Sequence, residues 1–299
     1  MWFIFTLLTI VGWAGSDLFS KLGTKTTDKL SHWKMLIMVG AVMGLHAFWL
    51  LLFGNVDYDL RNLLLYLPVS ALYILSMLFG YAGLRYIELS ISSPICNSSG
   101  AIVSVLCFLF LGQRMNAPQL FAIILICTGV LGLGLLEKAS AERERCEEGI
   151  VPERKYTHSL LAFSLPLLYC ILDALGTFAD AFYLGVVMDE LNANISYELT
   201  FFVVGIVAFF YVVCVRKERL SFRNDRWKGV AAISETFGQF CYVFALSGNA
   251  IVAAPAIASY SLFSVLLSRI ILKEKLSATH YAIIAPVMLG IAILGFFSA

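Results

Sequence analysis

Charge is what this sequence has least of. Only 14% of its 299 residues are Asp, Glu, Lys or Arg, where a soluble domain carries about 25%. No Lys or Arg stands at the centre of any long apolar run, and 60% of the chain is apolar. A soluble globular domain is thereby excluded, and the chain reads as an integral membrane protein. No basic segment or small-residue cleavage site marks the first run as a signal peptide, so it reads as a span. Metal-ligand spacing, a nucleophile elbow and a Walker motif are all missing. Gly129-Val-Leu-Gly-Leu-Gly134 follows no strand, so it is no nucleotide loop. Six of the seven cysteines lie in apolar runs and none forms CxxC, so they read as small apolar side chains. With no paired nucleophile and base, the expectation is a non-enzyme without cofactor or metal. Formal net charge is +1, and no nucleic-acid partner is expected.

What is present is a series of apolar runs, each near the ~20 residues that a span needs. Ten qualify, at 2–22, 32–53, 63–84, 88–111, 118–136, 159–184, 196–215, 228–247, 250–272 and 278–298. Runs this long and uninterrupted are helices, not strands of a barrel. The segment 137–158 is densely charged with both signs and parts five spans from five. It reads as a solvated linker, with room for a short helix. The expected organisation is a first repeat over 1–136, a linker over 137–158 and a second repeat over 159–299.

A repeat is visible directly. Tyr81–Leu136 falls without a gap on Tyr242–Phe297, 161 positions along (255 − 94 and 290 − 129). Pro94 meets Pro255, Ser98 meets Ser259, Gly129 meets Gly290, and Gly112-Gln-Arg meets Lys273-Glu-Lys. After an odd number of crossings the second copy enters from the opposite side. The expected fold is therefore all-α, ten transmembrane helices as two inverted-topology repeats of five. Secondary transporters are commonly built this way, with a midplane site.

Basic residues predict orientation. Nineteen of the 21 Lys and Arg fall in loops on one side; only Arg61 and Arg114 fall on the other. The positive-inside rule makes the crowded side cytoplasmic. Both termini are then outside and the 137–158 linker inside.

Ionisable residues within spans are functional candidates because the bilayer makes them costly. Here they are acids: Asp17, Asp173, Asp180, Glu198 and Glu235. Trp13 precedes Asp17 by four positions, as Tyr169 precedes Asp173, which puts each pair on one helix face. These acids either face a cavity or bond a nearby hydroxyl. Glu235, Gln239 and Tyr242 form a polar stripe at i, i+4, i+7, expected to face protein or water. Asn97, with Ser93, Gly100 and Ser104, and Tyr260, beside Ser261 and Ser264, extend the candidates. Tyr81 adds a further aromatic. Asp180 and Glu198 lie nearer the outer face and read as solvated. His46 reads as a hydrogen-bonded packing residue, and Gly40-x-x-x-Gly44 as a point of close helix approach. Asn194-Ile-Ser196 has the glycosylation pattern, one common by chance.

The repeat, the ten spans, Gly12-Trp-Ala-Gly-Ser-Asp-Leu-Phe-Ser-Lys-Leu-Gly23 and the stretch from Lys273 to Gly295 resemble the drug/metabolite transporter superfamily, specifically its EamA-like members. Lys273-Glu274-Lys275 matches the family's turn after span nine. Gly112-Gln113-Arg114 is its counterpart after span four, with glutamine in the acid's place. The resemblance implies a carrier of small metabolites, often an exporter, with helices one, three, four, six, eight and nine around a central cavity.

The expectation is a secondary carrier of the inner membrane working by alternating access. Its small-molecule substrate would be polar or amphipathic, an amine or amino-acid-like compound. Trp13, Asp17, Tyr81, Asn97, Tyr169, Asp173, Glu235, Gln239, Tyr242 and Tyr260 are the candidate substrate residues. Glu235, Asp17 and Asp173 are the candidate proton-coupling acids, with protons and membrane lipid as further partners. The carrier would work as a monomer or homodimer. The rival reading is a non-transporting membrane subunit, sensor or scaffold.

Overall fold

Every regular element among the described residues is a helix. A computed structural model describes residues 1–23, 30–83, 96, 98–148, 160–218, 220–271 and 278–297. In chain order the helices are α1 Trp2–Gly23, α2 Ser31–Phe53, α3 Leu60–Gly83, α4 Ser99–Phe110, α5 Ala117–Glu148 and α6 Leu160–Val186. Then come α7 Glu190–Phe210, which runs into a π turn Tyr211–Val215, α8 Phe222–Ile257, α9 Tyr260–Ile271 and α10 Ala278–Phe296. Six stretches are long and apolar enough to cross a membrane, on α1, α2, α3, α6, α7 and α8. Shorter apolar helices run over Ser99–Phe110, Ala117–Gly132 and Tyr281–Leu294.

Element boundaries carry the same repeat as the sequence. Helices α4 and α9 start 161 residues apart (260 − 99). Each of α4 and α9 starts just after a serine, Ser98 or Ser259. Pro255 lies inside α8, and proline removes a helical donor and crowds the preceding turn. Two residues on, the chain tightens: Ser259 N–H reaches Ala256 O at 3.1 Å, and Ser259 Oγ donates to the same carbonyl at 2.6 Å. Pro94 lies outside the described residues.

Two expected boundaries move. Spans eight and nine are separated by a kink and not by a loop: α8 covers span eight and only the first part of span nine, with one non-helical residue at Asn249 (φ −165, ψ 77), and α9 carries the rest. That kink frees the N–H of Ile251, and Gln113 Oε1 accepts it at 3.0 Å. Gln113, the departure from the family turn, thus has a local task, reached from Gly112 in the left-handed region (φ +63). The charged segment after span five is no loop at its start. Helix α5 continues through it to Glu148, because Ala, Glu, Lys and Arg are strong helix formers.

Contacts divide the chain into two compact units. The first gathers Met1–Ala71, Asp180–Gly248 and Phe263–Leu272, the second Leu72–Ala179, Asn249–Leu262 and Lys273–Ala299. Each draws on both halves of the sequence. In the first unit, α1 and α8 run antiparallel. An added Cβ at Gly12 would lie 2.7 Å from Gly238 Cα, one at Gly15 3.4 Å from Ser234 Oγ, and one at Gly248 2.4 Å from Trp2 Cβ. Helices α2 and α7 meet as closely, at Gly40 against Phe201 O and Gly205, and at Gly44 against Phe202. In the second unit, α5 and α10 meet where Gly129 faces Val287 and Gly290 faces Ala122 O. Small residues let helix backbones approach where lipid offers no hydrophobic drive.

Candidate functional site

The polar stripe of α8 faces α1. Glu235, Gly238, Gln239 and Tyr242 follow i, i+3, i+4, i+7, one side of a helix. On α1 the facing residues are Gly12, Trp13, Ser16 and Asp17. Gly238 has no side chain, and the Trp13 indole occupies that space: an added Cβ there would lie 2.5 Å from Trp13 Cδ1. The indole reaches the Tyr242 ring at 4.9 Å between centroids. Ser16 hydrogen-bonds the Glu235 carboxylate, and Asp17 is near enough for its charge to act on it. Glu235 and Asp17 are half-buried, while Gln239 and Tyr242 are buried. Among the described residues, Gln239 Nε2 has no hydrogen-bond partner. Five of the residues singled out in the sequence are thus assembled in the first unit: Trp13, Asp17, Glu235, Gln239 and Tyr242. Ser16 joins them; as a lone hydroxyl beside an acid it gave no separate signal.

Asp173 belongs to the second unit, where it bonds the hydroxyl of Ser99. Ser99 is the first residue of α4, so this carboxylate sits at a helix N-terminus, where the free N–H groups and dipole favour an anion. One turn back, Cys170 Sγ is 3.2 Å from Ser98 Oγ. Asp173 thus bonds a nearby hydroxyl, as Glu235 does at Ser16. Tyr169 and Tyr260 are half-buried. Asn97 lies outside the described residues, as does the side chain of Tyr81.

Asp180 and Glu198 correct the sequence reading. Both were expected to be solvated, and both are 0% exposed. The Tyr66 hydroxyl donates to Asp180. Glu198 holds His46 Nδ1 at 2.8 and 2.9 Å through its two oxygens. Each partner comes from a helix distant in sequence, which is why span position alone mislocated the acids. His46 is the hydrogen-bonded packing residue expected. Asn194 is buried in α7, so its glycosylation pattern is not presented to solvent.

The model of the EamA-like transporter family matches residues 1–135 and 167–296. The chain belongs to the EamA-like transporter family. It is thus a multi-pass membrane protein, and the family match falls twice, once on each side of the charged segment. The fold agrees with a solved structure described only as the crystal structure of a protein. The TM-score is 0.70 at 10% identity, over 99% of this EamA-like chain and 96% of the other. Identity so low speaks for the fold alone. No curated protein matches the sequence.

Proposed function

We propose that this EamA-like protein is a secondary carrier of a small cationic or zwitterionic amine, coupled to protons and working by alternating access in the inner membrane. The observation that carries the proposal is the α1/α8 face. Two carboxyl groups, Glu235 and Asp17, stand together beside Trp13 and Tyr242. A carboxylate in an apolar setting needs a proton or a cation to compensate it. Aromatic faces attract ammonium groups. Proton and ammonium then compete for one acid, which is what exchange of one for the other across a membrane requires. Gln239 adds an amide one turn from Glu235, suited to a carbonyl or carboxylate on the same substrate.

Amines and amino acids that raise thermal stability in detergent would be taken into flux assays with proteoliposomes. Glu235→Gln keeps shape and hydrogen bonding but loses the exchangeable charge. Expected is loss of proton-driven flux to background, with a thermal midpoint within about 3 °C of wild type, as for a change of under ~1 kcal/mol. Flux and pH dependence equal to wild type would remove Glu235 from the mechanism. Absence of flux for every amine that stabilises the protein would favour a non-transporting subunit.

A further inference from the structure

Two fully buried polar contacts in the first unit occupy matching places in the repeat. One joins the end of α1 to the start of α8. Lys228 Nζ donates to Gly23 O at 2.9 Å and to Asp225 Oδ1 at 2.8 Å. Asp225 Oδ2 in turn accepts the Ser221 N–H at 3.1 Å. Lys228 and Asp225 are 2% and 3% exposed. The second joins the start of α3 to the last turns of α6, through the Tyr66–Asp180 hydrogen bond, both residues 0% exposed.

Lys228 is the seventh residue of α8 and Tyr66 the seventh of α3. The 161 offset carries Tyr66 to Trp227, beside Lys228. The offset of spans one and six, 156 (169 − 13), carries Asp180 back to position 24, beside Gly23. The contacts are therefore counterparts to within one residue. They lie at opposite ends of the spans. Helix α8 starts where α1 ends, since Lys228 touches Gly23. Helix α3 starts one crossing later, after α2.

We propose that these two contacts are the latches of the transport cycle, Lys228–Gly23–Asp225 on the cytoplasmic side and Tyr66–Asp180 on the outer side, each opening in its turn to admit water to the Glu235 site. This rests on the carrier reading. The chemistry of the contacts supports it. A buried ion pair is a poor permanent seal, because packed apolar residues of the same volume hold as well or better. It suits a contact that must open, because ions released into water are rehydrated and their attraction becomes small. The Gly23 carbonyl is a neutral acceptor, and water can replace Lys228 there. Tyrosine and carboxylate exchange their bond for water in the same way. Lys228 lies two helical turns, about 10 Å, before Glu235.

The test needs no substrate. Ser16→Cys places a thiol at the Glu235 carboxylate, in a background with the native cysteines replaced. Its reaction with a membrane-impermeant maleimide is followed in sealed vesicles of each orientation. Lys228→Gln is expected to speed labelling from the α1-end side alone. Tyr66→Phe is expected to speed it from the other side alone. Each increase should be about fivefold, the population shift implied by losing one net hydrogen bond. The second arm leaves Lys228 and Tyr66 in place. An added Cβ at Gly23 would lie 3.4 Å from Trp227 Cβ, near the Cβ separation of a disulfide. Oxidised Gly23→Cys/Trp227→Cys should block labelling from that side, and reductant should restore it in the same sample, which a folding defect cannot imitate. Rates unmoved by both variants, or an oxidised pair labelled as fast as the reduced one, would overturn the latches. If flux is measured in that case, the carrier reading stands without them. Latch-dependent labelling with no flux for any amine would leave the latches and remove the amine carrier.

Discussion

His46 and Glu198 show what a single buried charge asks of its neighbours. Glu198 has no exposed surface, and both its oxygens rest on one imidazole nitrogen. The ring is held edge-on by Phe240 at 5.3 Å and stacked near Trp49 at 6.3 Å. Removing the imidazole leaves the carboxyl group buried without its main partner. His46→Ala should therefore cost about 3–5 kcal/mol of stability. Replacing both partners with leucine should cost far less, because nothing polar is then stranded. Thermal unfolding of the single and double variants measures the coupling. Additive costs would mean the two groups do not depend on each other. Gln113 makes the same point with a neutral group: its amide exists to meet one N–H that the Asn249 kink releases.

Helices here are held by absence of side chains as much as by their presence. Gly100 of α4 sits on the backbone of the Pro255 segment, where an added Cβ would lie 2.8 Å from Pro255 Cα and 3.0 Å from Ala254 O. Backbone cannot rotate away as a side chain can. One turn along, Ser104 Oγ donates to Ile251 O at 2.6 Å, fixing the same register. Gly100→Ala should therefore destabilise by about 1–3 kcal/mol, the usual cost of overpacking. Gly132 is the control. Its added Cβ would meet only Ile283 side-chain atoms at 3.8 Å, ordinary contact. Gly132→Ala should leave the thermal midpoint unchanged or slightly raised, since alanine favours the helix. Equal losses at the two positions would mean that the close approach to Pro255 does not set the cost.

At the scale of the whole molecule, orientation follows from where the basic residues fall. The prediction is that both termini are outside and the 137–158 segment cytoplasmic, on the count of 19 basic residues against two. An impermeant thiol reagent applied to intact cells should label an engineered Ser298→Cys and leave Cys146 untouched. Labelling of Cys146 without permeabilisation would reverse the orientation, and with it the sides given to the two latches. Inverted symmetry between the sequence halves belongs at this scale too. The 161-residue spacing between the starts of α4 and α9 supports the repeat, and its inversion is the expectation that follows from five crossings per half.

Composition and periodicity alone made this chain a helical membrane protein, because lipid leaves so few ways to satisfy a backbone. The repeat was equally legible, since its prolines, glycines and polar turn recur without a gap. So was the stripe Glu235, Gln239, Tyr242, because helix geometry fixes which residues of one helix share a face. What the sequence could not decide is which helix each face meets. Ser16 on Glu235, Tyr66 on Asp180, His46 on Glu198 and Lys228 on Gly23 all join residues more than a hundred positions apart. Two acids read as solvated are buried for that reason alone. Their partners are ordinary residues whose only distinction is where packing puts them, and packing between helices is set by tertiary approach, not by local pattern.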